Sequence, residues 1–232
     1  HRLGKSGVQP CRGDAPALDS LFSTDIAMKE STMILYSSPP SPFGRKIKIA
    51  LSCLGMRDDV TVKVVNTMDP EDDIRGINPL GKIPALDVGD TVIFDSRVIL
   101  EYLDSQAGGG KILPAGGDDR FAVLTMAALA DGIMDAAILV VFESRMRPAE
   151  RRVESFVTYQ RDKIIRGLQG LGMTEYTNGA MPDMAEIGIA CTLDYLDLRK
   201  QVEWRDHAPH LQGWLDGFAA AVPGYADTLP CD

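Results

Sequence analysis

The chain has 232 residues, a formal net charge of −9 and a pI near 4.8, and 45% of its residues are hydrophobic. This composition is typical of a soluble globular protein, and the length allows one large or two small domains. The acidic balance argues against nucleic acid and against an anionic membrane surface as partners, because both attract clustered cations. The longest apolar run, residues 136–142, is too short to span a bilayer.

The cysteines and histidines predict neither a disulfide framework nor a metal site. The four cysteines are Cys11, Cys53, Cys191 and Cys231. They form no CxxC pair and no zinc-ligand spacing, and Cys53 and Cys191 stand among apolar neighbours, as buried free thiols do. Together with the lack of a recognisable signal peptide, this predicts a cytoplasmic protein. His207 and His210 have the spacing of a metal pair, but a helix start near Pro209 explains them better, since no third ligand is near.

Periodic elements begin at Met33. Residues 1–32 show no periodicity, so we expect a leader that is disordered or a non-native extension. Strands are predicted at 34–36, 60–65, 83–88 and 91–94, and helices at 42–54 and 95–106, with a short helix or turn at 70–75. Gly89 and Asp90 separate the last two strands as in a hairpin. The order βαβαββα predicts a thioredoxin-like domain over residues 33–107, an α/β unit.

The second half has only helical patterns. Glycine and proline are concentrated in residues 108–117, which predicts a linker. Helical periodicity then covers 120–146, 149–171, 183–201 and 210–221. Asp183 and Glu186 have the spacing of a capping box. Residues 118–232 are therefore predicted to be an all-helical bundle domain, and the fold class is α/β plus all-α.

Ser41 has the sequence context of a helix N-cap. Pro42 follows it, and proline is favoured in the first turn of a helix because its missing N–H costs nothing there. The hydroxyl and the free amides of that turn then converge on one point, where the helix dipole favours an anion such as a thiolate. Ser41 could equally be an ordinary cap, and Ser38 is a rival hydroxyl.

Two later pairs of residues indicate a site for an extended peptide. Ile83 and Pro84 begin a strand, where a proline cannot donate to the ladder. A cis bond would leave the Ile83 peptide groups free to pair with a bound chain, and a trans proline on an edge strand is the alternative. Asp95 and Ser96 open a helix, and they match the amine and carboxylate of an amino acid, although an ordinary cap also fits.

These segments together resemble the glutathione S-transferase family over about residues 33–227. The matching stretches are Ser41–Lys46, residues 78–86 around Pro84, Asp95-Ser96 and the 185–187 segment. The resemblance is to the serine-type, bacterial branches, with the class unassigned. It implies the thioredoxin-like fold, a homodimer, and glutathione as the co-substrate, with no metal.

The resemblance also implies a role for each matching residue. The implied glutathione-binding residues are Ser41, Phe43, Lys82, Ile83, Pro84, Asp95 and Ser96. Ser41 is implied to be catalytic, through a hydrogen bond to the sulfur, and Lys82 to reach the glycyl carboxylate. The implied electrophile pocket is lined by Pro40, Phe43, Asp131, Met134, Asp135 and Ile138. The two aspartates could instead face solvent or the dimer axis.

The implied activity is conjugation of the glutathione thiolate to a small apolar electrophile, as in detoxification. A glutathione-dependent peroxidase, dehalogenase or isomerase is one alternative, and a non-catalytic binding protein of the same fold is another. Lys82, Asp95 and Ser96 together with Ser41 favour the enzyme, because a scaffold alone would not need all four.

Overall fold

The structure is a computed structural model that describes residues 33–172 and 181–231. The expected leader, residues 1–32, lies outside the described residues. The strands are β1 (Met33–Ser37), β2 (Val60–Val64), β3 (Ala85–Asp87) and β4 (Val92–Ile93). The helices are α1 (Pro42–Cys53), α2 (Ile74–Ile77), α3 (Ser96–Gln106), α4 (Gly117–Met146), α5 (Glu154–Gln169), α6 (Met184–Arg199), α7 (Trp204–His207) and α8 (Leu211–Ala221).

The four strands form one mixed sheet in the order β2-β1-β3-β4. β1 runs parallel to β2 and antiparallel to β3, and β4 closes an antiparallel hairpin with β3. Alternate residues of β1 face opposite sides: Leu35 enters the main core with α1 and α3, whereas Tyr36 packs with Ile74 of α2. The predicted βαβαββα order and the thioredoxin-like fold are confirmed.

The second region is helical, as predicted, and α4 is its central element. α4 packs against α5 and α6. By length and composition α4 could cross a membrane, and 44% of its apolar window is buried inside the protein. The capping box of α6 is present, with Asp183 accepting from the Glu186 N–H and Glu186 accepting from the Asp183 N–H.

The largest differences from the sequence prediction concern two predicted elements and one short helix that was not predicted. The short helix or turn expected at 70–75 is a turn, in which Asp72 accepts hydrogen bonds from main-chain amides, followed by α2 at Ile74–Ile77. The helix expected at 149–171 begins only at Glu154, because a short 3-10 turn follows Pro148. The four-residue helix α7 was not predicted, since one turn shows no periodicity.

The sheet and the helical region share one apolar core, and α1 is the helix that joins them. α1 packs against α3 on one side and α6 on another. Arg45, fully buried, forms an ion pair with Asp194 of α6 and donates to the main-chain oxygen of Tyr225. These contacts fix the N-terminal end of α1, where the candidate site lies.

Candidate functional site

Ser41 is the N-cap of α1, as the sequence predicts. Its Oγ accepts a hydrogen bond from the Gly44 N–H at 3.1 Å, and its own N–H donates to the Ser38 main-chain oxygen at 3.1 Å. The cap uses an oxygen lone pair and leaves the hydroxyl proton free to donate. Ser41 is half-buried, so a ligand at the helix start can reach that proton.

The turn at Ser41 is tightly packed against the end of β1. A Cβ on Gly44 would lie 2.0 Å from the Ser37 Oγ, so only glycine allows this approach. Ser37 is fully buried. The position of Ser41 is therefore set by a close strand-to-helix contact as well as by its own cap.

The loop before β3 carries Lys82, Ile83 and Pro84. The Ile83–Pro84 peptide is cis, which confirms the first of the two alternatives that the sequence left open. Asn78, almost fully buried, shapes the loop: its side chain donates to the Lys82 main-chain oxygen at 2.9 Å and accepts from Leu80 N–H at 3.0 Å. Lys82 is exposed, and Ile83 lies outside the ladder of β3.

Asp95 and Ser96 stand at the start of α3. Asp95 is exposed and caps the helix, accepting from the Arg97 N–H at 3.0 Å. Ser96 is only 3% exposed. The carboxylate of Asp95 has acceptor capacity left after the cap, so it can receive a hydrogen bond from an amine.

A buried ion-pair cluster connects the starts of both helices. Asp131 of α4, 1% exposed, binds the Lys46 ammonium of α1 at 2.5 Å and the Arg97 guanidinium of α3 at 2.6 Å. Lys46 is 2% exposed, and its Nζ lies 5.2 Å from the centre of the Phe43 ring. The hydrogen bond to Asp131 is the largest cause that raises the pKa of Arg97. Asp131 therefore holds both helices against α4.

The implied electrophile pocket is divided between surface and core. Pro40, Phe43 and Ile138 are half-buried and Asp135 is exposed, so these four present surface. Asp131 and Met134, the other two residues of the implied pocket, are buried. Partial desolvation of the Asp135 carboxylate raises its pKa, and repulsion by Asp131 raises it further, whereas Arg97, Lys82 and Lys46 act in the opposite direction.

Sequence reasoning missed the supporting residues Lys46, Arg97 and Asn78 in their present roles. The sequence did contain one signal for the Lys46–Asp131 pair. Each of the two charged residues stands among the apolar positions of its helix, and charged side chains that are buried are almost always paired. Among residues 33–172 and 181–231, no group of three His, Cys, Asp or Glu side chains could hold a metal ion.

Comparison with known proteins places this site in a family. The family model described as "Glutathione S-transferase, N-terminal domain" matches residues 35–111, which include Ser41, Pro84 and Asp95. The Uncharacterized GST-like protein YibF of Escherichia coli K12 is 33% identical over 77% of this chain and 90% of its own length. The chain belongs to the glutathione S-transferase family.

Solved structures agree over most of the chain. A glutathione transferase family member from Pseudomonas fluorescens Pf-5, crystallised with bound glutathione, is 37% identical, with a TM-score of 0.77 over 86% of this chain and 100% of that one. A second structure of a glutathione transferase family member from Pseudomonas fluorescens Pf-5, with bound S-(propanoic acid)-glutathione, is 38% identical. Its TM-score is 0.74 over 86% of this chain and 100% of that one.

Proposed function

We propose that this protein is a glutathione transferase that conjugates the glutathione thiolate to a small apolar electrophile. Ser41 donates a hydrogen bond to the sulfur, the Ile83 main chain beside Pro84 pairs with the cysteinyl part, and Lys82 binds the glycyl carboxylate. Asp95 and Ser96 hold the γ-glutamyl end. The family membership supports glutathione as the ligand, and the bound conjugate in the Pseudomonas protein supports conjugation.

The observation that carries the proposal is the hydroxyl proton that Ser41 retains while it caps α1. A free thiol has a pKa of about 8.5, so only a few per cent is thiolate at neutral pH. Lowering that pKa by about two units requires roughly 2.7 kcal/mol of preferential thiolate stabilisation. One hydrogen bond to an ion supplies about 1.5–3 kcal/mol and the helix start about 0.3–1 kcal/mol, which together suffice.

Other groups near this helix are weaker candidates for the same role. Ser38 contributes its main-chain oxygen to the Ser41 turn and lines a separate cavity beside β2. Burial raises the pKa of Cys53 and that of Cys191 to about 11, so both remain protonated and unreactive at neutral pH. This disfavours the cysteine-dependent reductases of similar fold, in which a protein thiolate attacks.

The helix start of α3 complements Ser41 in charge. Its exposed Asp95 accepts from an ammonium group, and the first-turn amides together with Ser96 suit a carboxylate. The exposed Lys82 adds a cation on the loop of Pro84. A zwitterionic peptide with a thiol at its middle matches this order of groups.

Titration calorimetry with glutathione on the full chain tests binding, and a chlorodinitrobenzene assay tests conjugation. Ser41→Ala should lower turnover by about tenfold or more while the protein still folds, because one charge-assisted hydrogen bond is lost. Undiminished turnover would assign the sulfur contact to Ser38 or to a main-chain amide. Absence of glutathione binding by the folded wild-type chain would overturn the proposal.

Two further assays separate the remaining possibilities. Glutathione binding without turnover of any electrophile would indicate a non-catalytic binding protein. Faster reduction of cumene hydroperoxide than conjugation of chlorodinitrobenzene would indicate a glutathione peroxidase. The homodimer, the cytoplasmic location, the detoxification role and the domain boundaries at 33–107 and 118–232 stay predictions, and sedimentation equilibrium checks the first of them.

A further inference from the structure

A cavity lies at the β2 edge of the sheet, and its lining includes none of the residues proposed above to bind glutathione, although Ser38, the rival hydroxyl for the sulfur, is part of it. Its volume is about 260 Å3, and we call it the tail cavity because residues 227–231 form one of its walls. The other walls come from β2, from Lys48 on α1, from Arg57 after α1, and from the loop of Ser37 that leads into Ser41.

The tail cavity has two cations without ion-pair partners. Within the part of the chain that the structure describes, neither the Lys48 ammonium nor the Arg57 guanidinium takes part in a salt bridge. Burial lowers the pKa of Lys48, and repulsion by Arg45 and Arg57 lowers it further. Asp227 is the one carboxylate among the lining residues, so the cations exceed the anions in the wall.

Ser37 lies in the wall of this cavity but does not offer its hydroxyl to it. Ser37 is fully buried, and its Oγ lies against Gly44 of α1 and makes no hydrogen bond within the described residues. A ligand in the cavity is therefore held by the charged and apolar walls rather than by this hydroxyl.

The remaining walls are apolar. Val62 and Val64 point into the cavity from β2, and Leu229 faces them from the tail. Val64 is 65% exposed, which is unusual for a valine on a strand and leaves apolar surface for a ligand to cover. Lys63, between the two valines, takes the opposite face of the strand, where its Nζ lies 5.4 Å from the centre of the Tyr36 ring.

We propose that the tail cavity binds a small organic anion, with one carboxylate on a short apolar body. The carboxylate lies between Lys48 and Arg57, and the apolar body covers Val62 and Val64. The volume is just below that of pockets for drug-sized molecules, so a ligand of about ten non-hydrogen atoms is appropriate. This site does not depend on the proposed glutathione chemistry.

Fluorine NMR with para-fluorobenzoate as the probe tests this site on the full chain. We expect saturable binding of para-fluorobenzoate and much weaker binding of para-fluorobenzyl alcohol, which has the same ring without the charge. The double variant Lys48→Gln/Arg57→Gln should weaken benzoate binding by about tenfold or more, because both charge-assisted contacts are lost. Lys63→Gln, on the same strand but the other face, should leave it unchanged.

A second variant tests the location independently of charge. Val64→Trp fills the apolar side of the cavity and should also weaken benzoate binding, while Lys82→Gln in the proposed glutathione site should not. Equal affinity in the wild type and in Lys48→Gln/Arg57→Gln would overturn the proposal, as would equal affinity for the acid and the alcohol. Loss of benzoate binding only in Lys82→Gln would overturn it too, by moving the probe to the other site.

Discussion

The N-terminal ends of α1 and α3 are capped in the same way, but the Ser41 hydroxyl carries a proton that the Asp95 carboxylate lacks. Each is capped by a side-chain oxygen that accepts from a main-chain N–H, at 3.1 Å for Ser41 and 3.0 Å for Asp95. After capping, Ser41 still has a proton to donate, whereas Asp95 has only lone pairs. The Ser41 side chain can therefore donate to an anion, whereas the Asp95 side chain can only accept, as from an ammonium group.

One residue outside the sheet holds the two helix starts together. Asp131 binds Lys46 of α1 and Arg97 of α3, so the distance between the two caps depends on α4. Binding of the proposed ligand, which contacts both caps, would therefore depend on the polarity of each cap and on the distance between them. The predictions below separate these contributions, beginning with the largest expected effect.

Asp131→Ala should break the connection between the two helix starts. It leaves the 2%-exposed Lys46 without its partner, which should lower the free energy of unfolding by about 3–5 kcal/mol. Urea denaturation measures the change. Asp135→Ala, one turn later on the same helix and exposed, is the matched control and should cost little. Similar losses in both variants would mean that the cluster is not what stabilises the junction.

Gly44→Ala should disturb the N-terminal end of α1 and leave that of α3 unchanged. The added methyl would lie 2.0 Å from the Ser37 Oγ, so we expect a loss of about 1–3 kcal/mol in unfolding free energy. Adding Ser37→Ala should recover part of that loss, since the crowded oxygen is removed. Gly213→Ala, in α8 with open space around it, should be neutral or stabilising. A Gly44→Ala protein as stable as the wild type would contradict the close packing.

Ser41→Asp should separate the helix-capping role of residue 41 from its role as a hydrogen-bond donor. Aspartate caps a helix as well as serine does, so stability should stay near that of the wild type, whereas Ser41→Ala should cost about 1 kcal/mol. Neither variant can donate to a thiolate, so both should lose conjugation activity. Thermal unfolding and the chlorodinitrobenzene assay measure the two effects. An active Ser41→Asp enzyme would contradict the proposed hydrogen bond.

Asp95→Asn should have the smallest effect on stability and a selective effect on binding. Asparagine keeps the cap but removes the negative charge, so we expect glutathione affinity to fall by about tenfold with little change in unfolding. Calorimetry gives the affinity. The affinity for S-methylglutathione should fall by the same factor, since the sulfur is not involved; a loss for glutathione alone would place the effect at the thiol.

The sequence predicts those features of the site that depend on near neighbours. Ser41 before Pro42, and Asp95 before Ser96, are recognisable caps because capping involves residues only two or three positions away. The fold class followed from periodicity and element order for the same local reason. The roles of these residues toward glutathione stay predictions.

The contacts between distant elements could not be derived in this way. Lys46 and Asp131 are 85 positions apart, and periodicity does not reveal which face of the 30-residue α4 meets α1. The ion pairs of Asp131 with Lys46 and Arg97 were therefore not expected from the sequence. The tail cavity was missed because β2, α1 and residues 227–231 meet there only in three dimensions.

The Lys46–Asp131 pair has a consequence for the evolution of this chain. Because one half supplies the ammonium and the other its counter-charge, the halves of two relatives can be exchanged only when both positions match. A chimaera with leucine at position 46 would keep the buried Asp131 carboxylate but lose its Lys46 partner, so that Arg97 alone of the two cations would remain beside it. Gene fusion and recombination are therefore expected to transmit the sheet and the helical bundle as one inherited module.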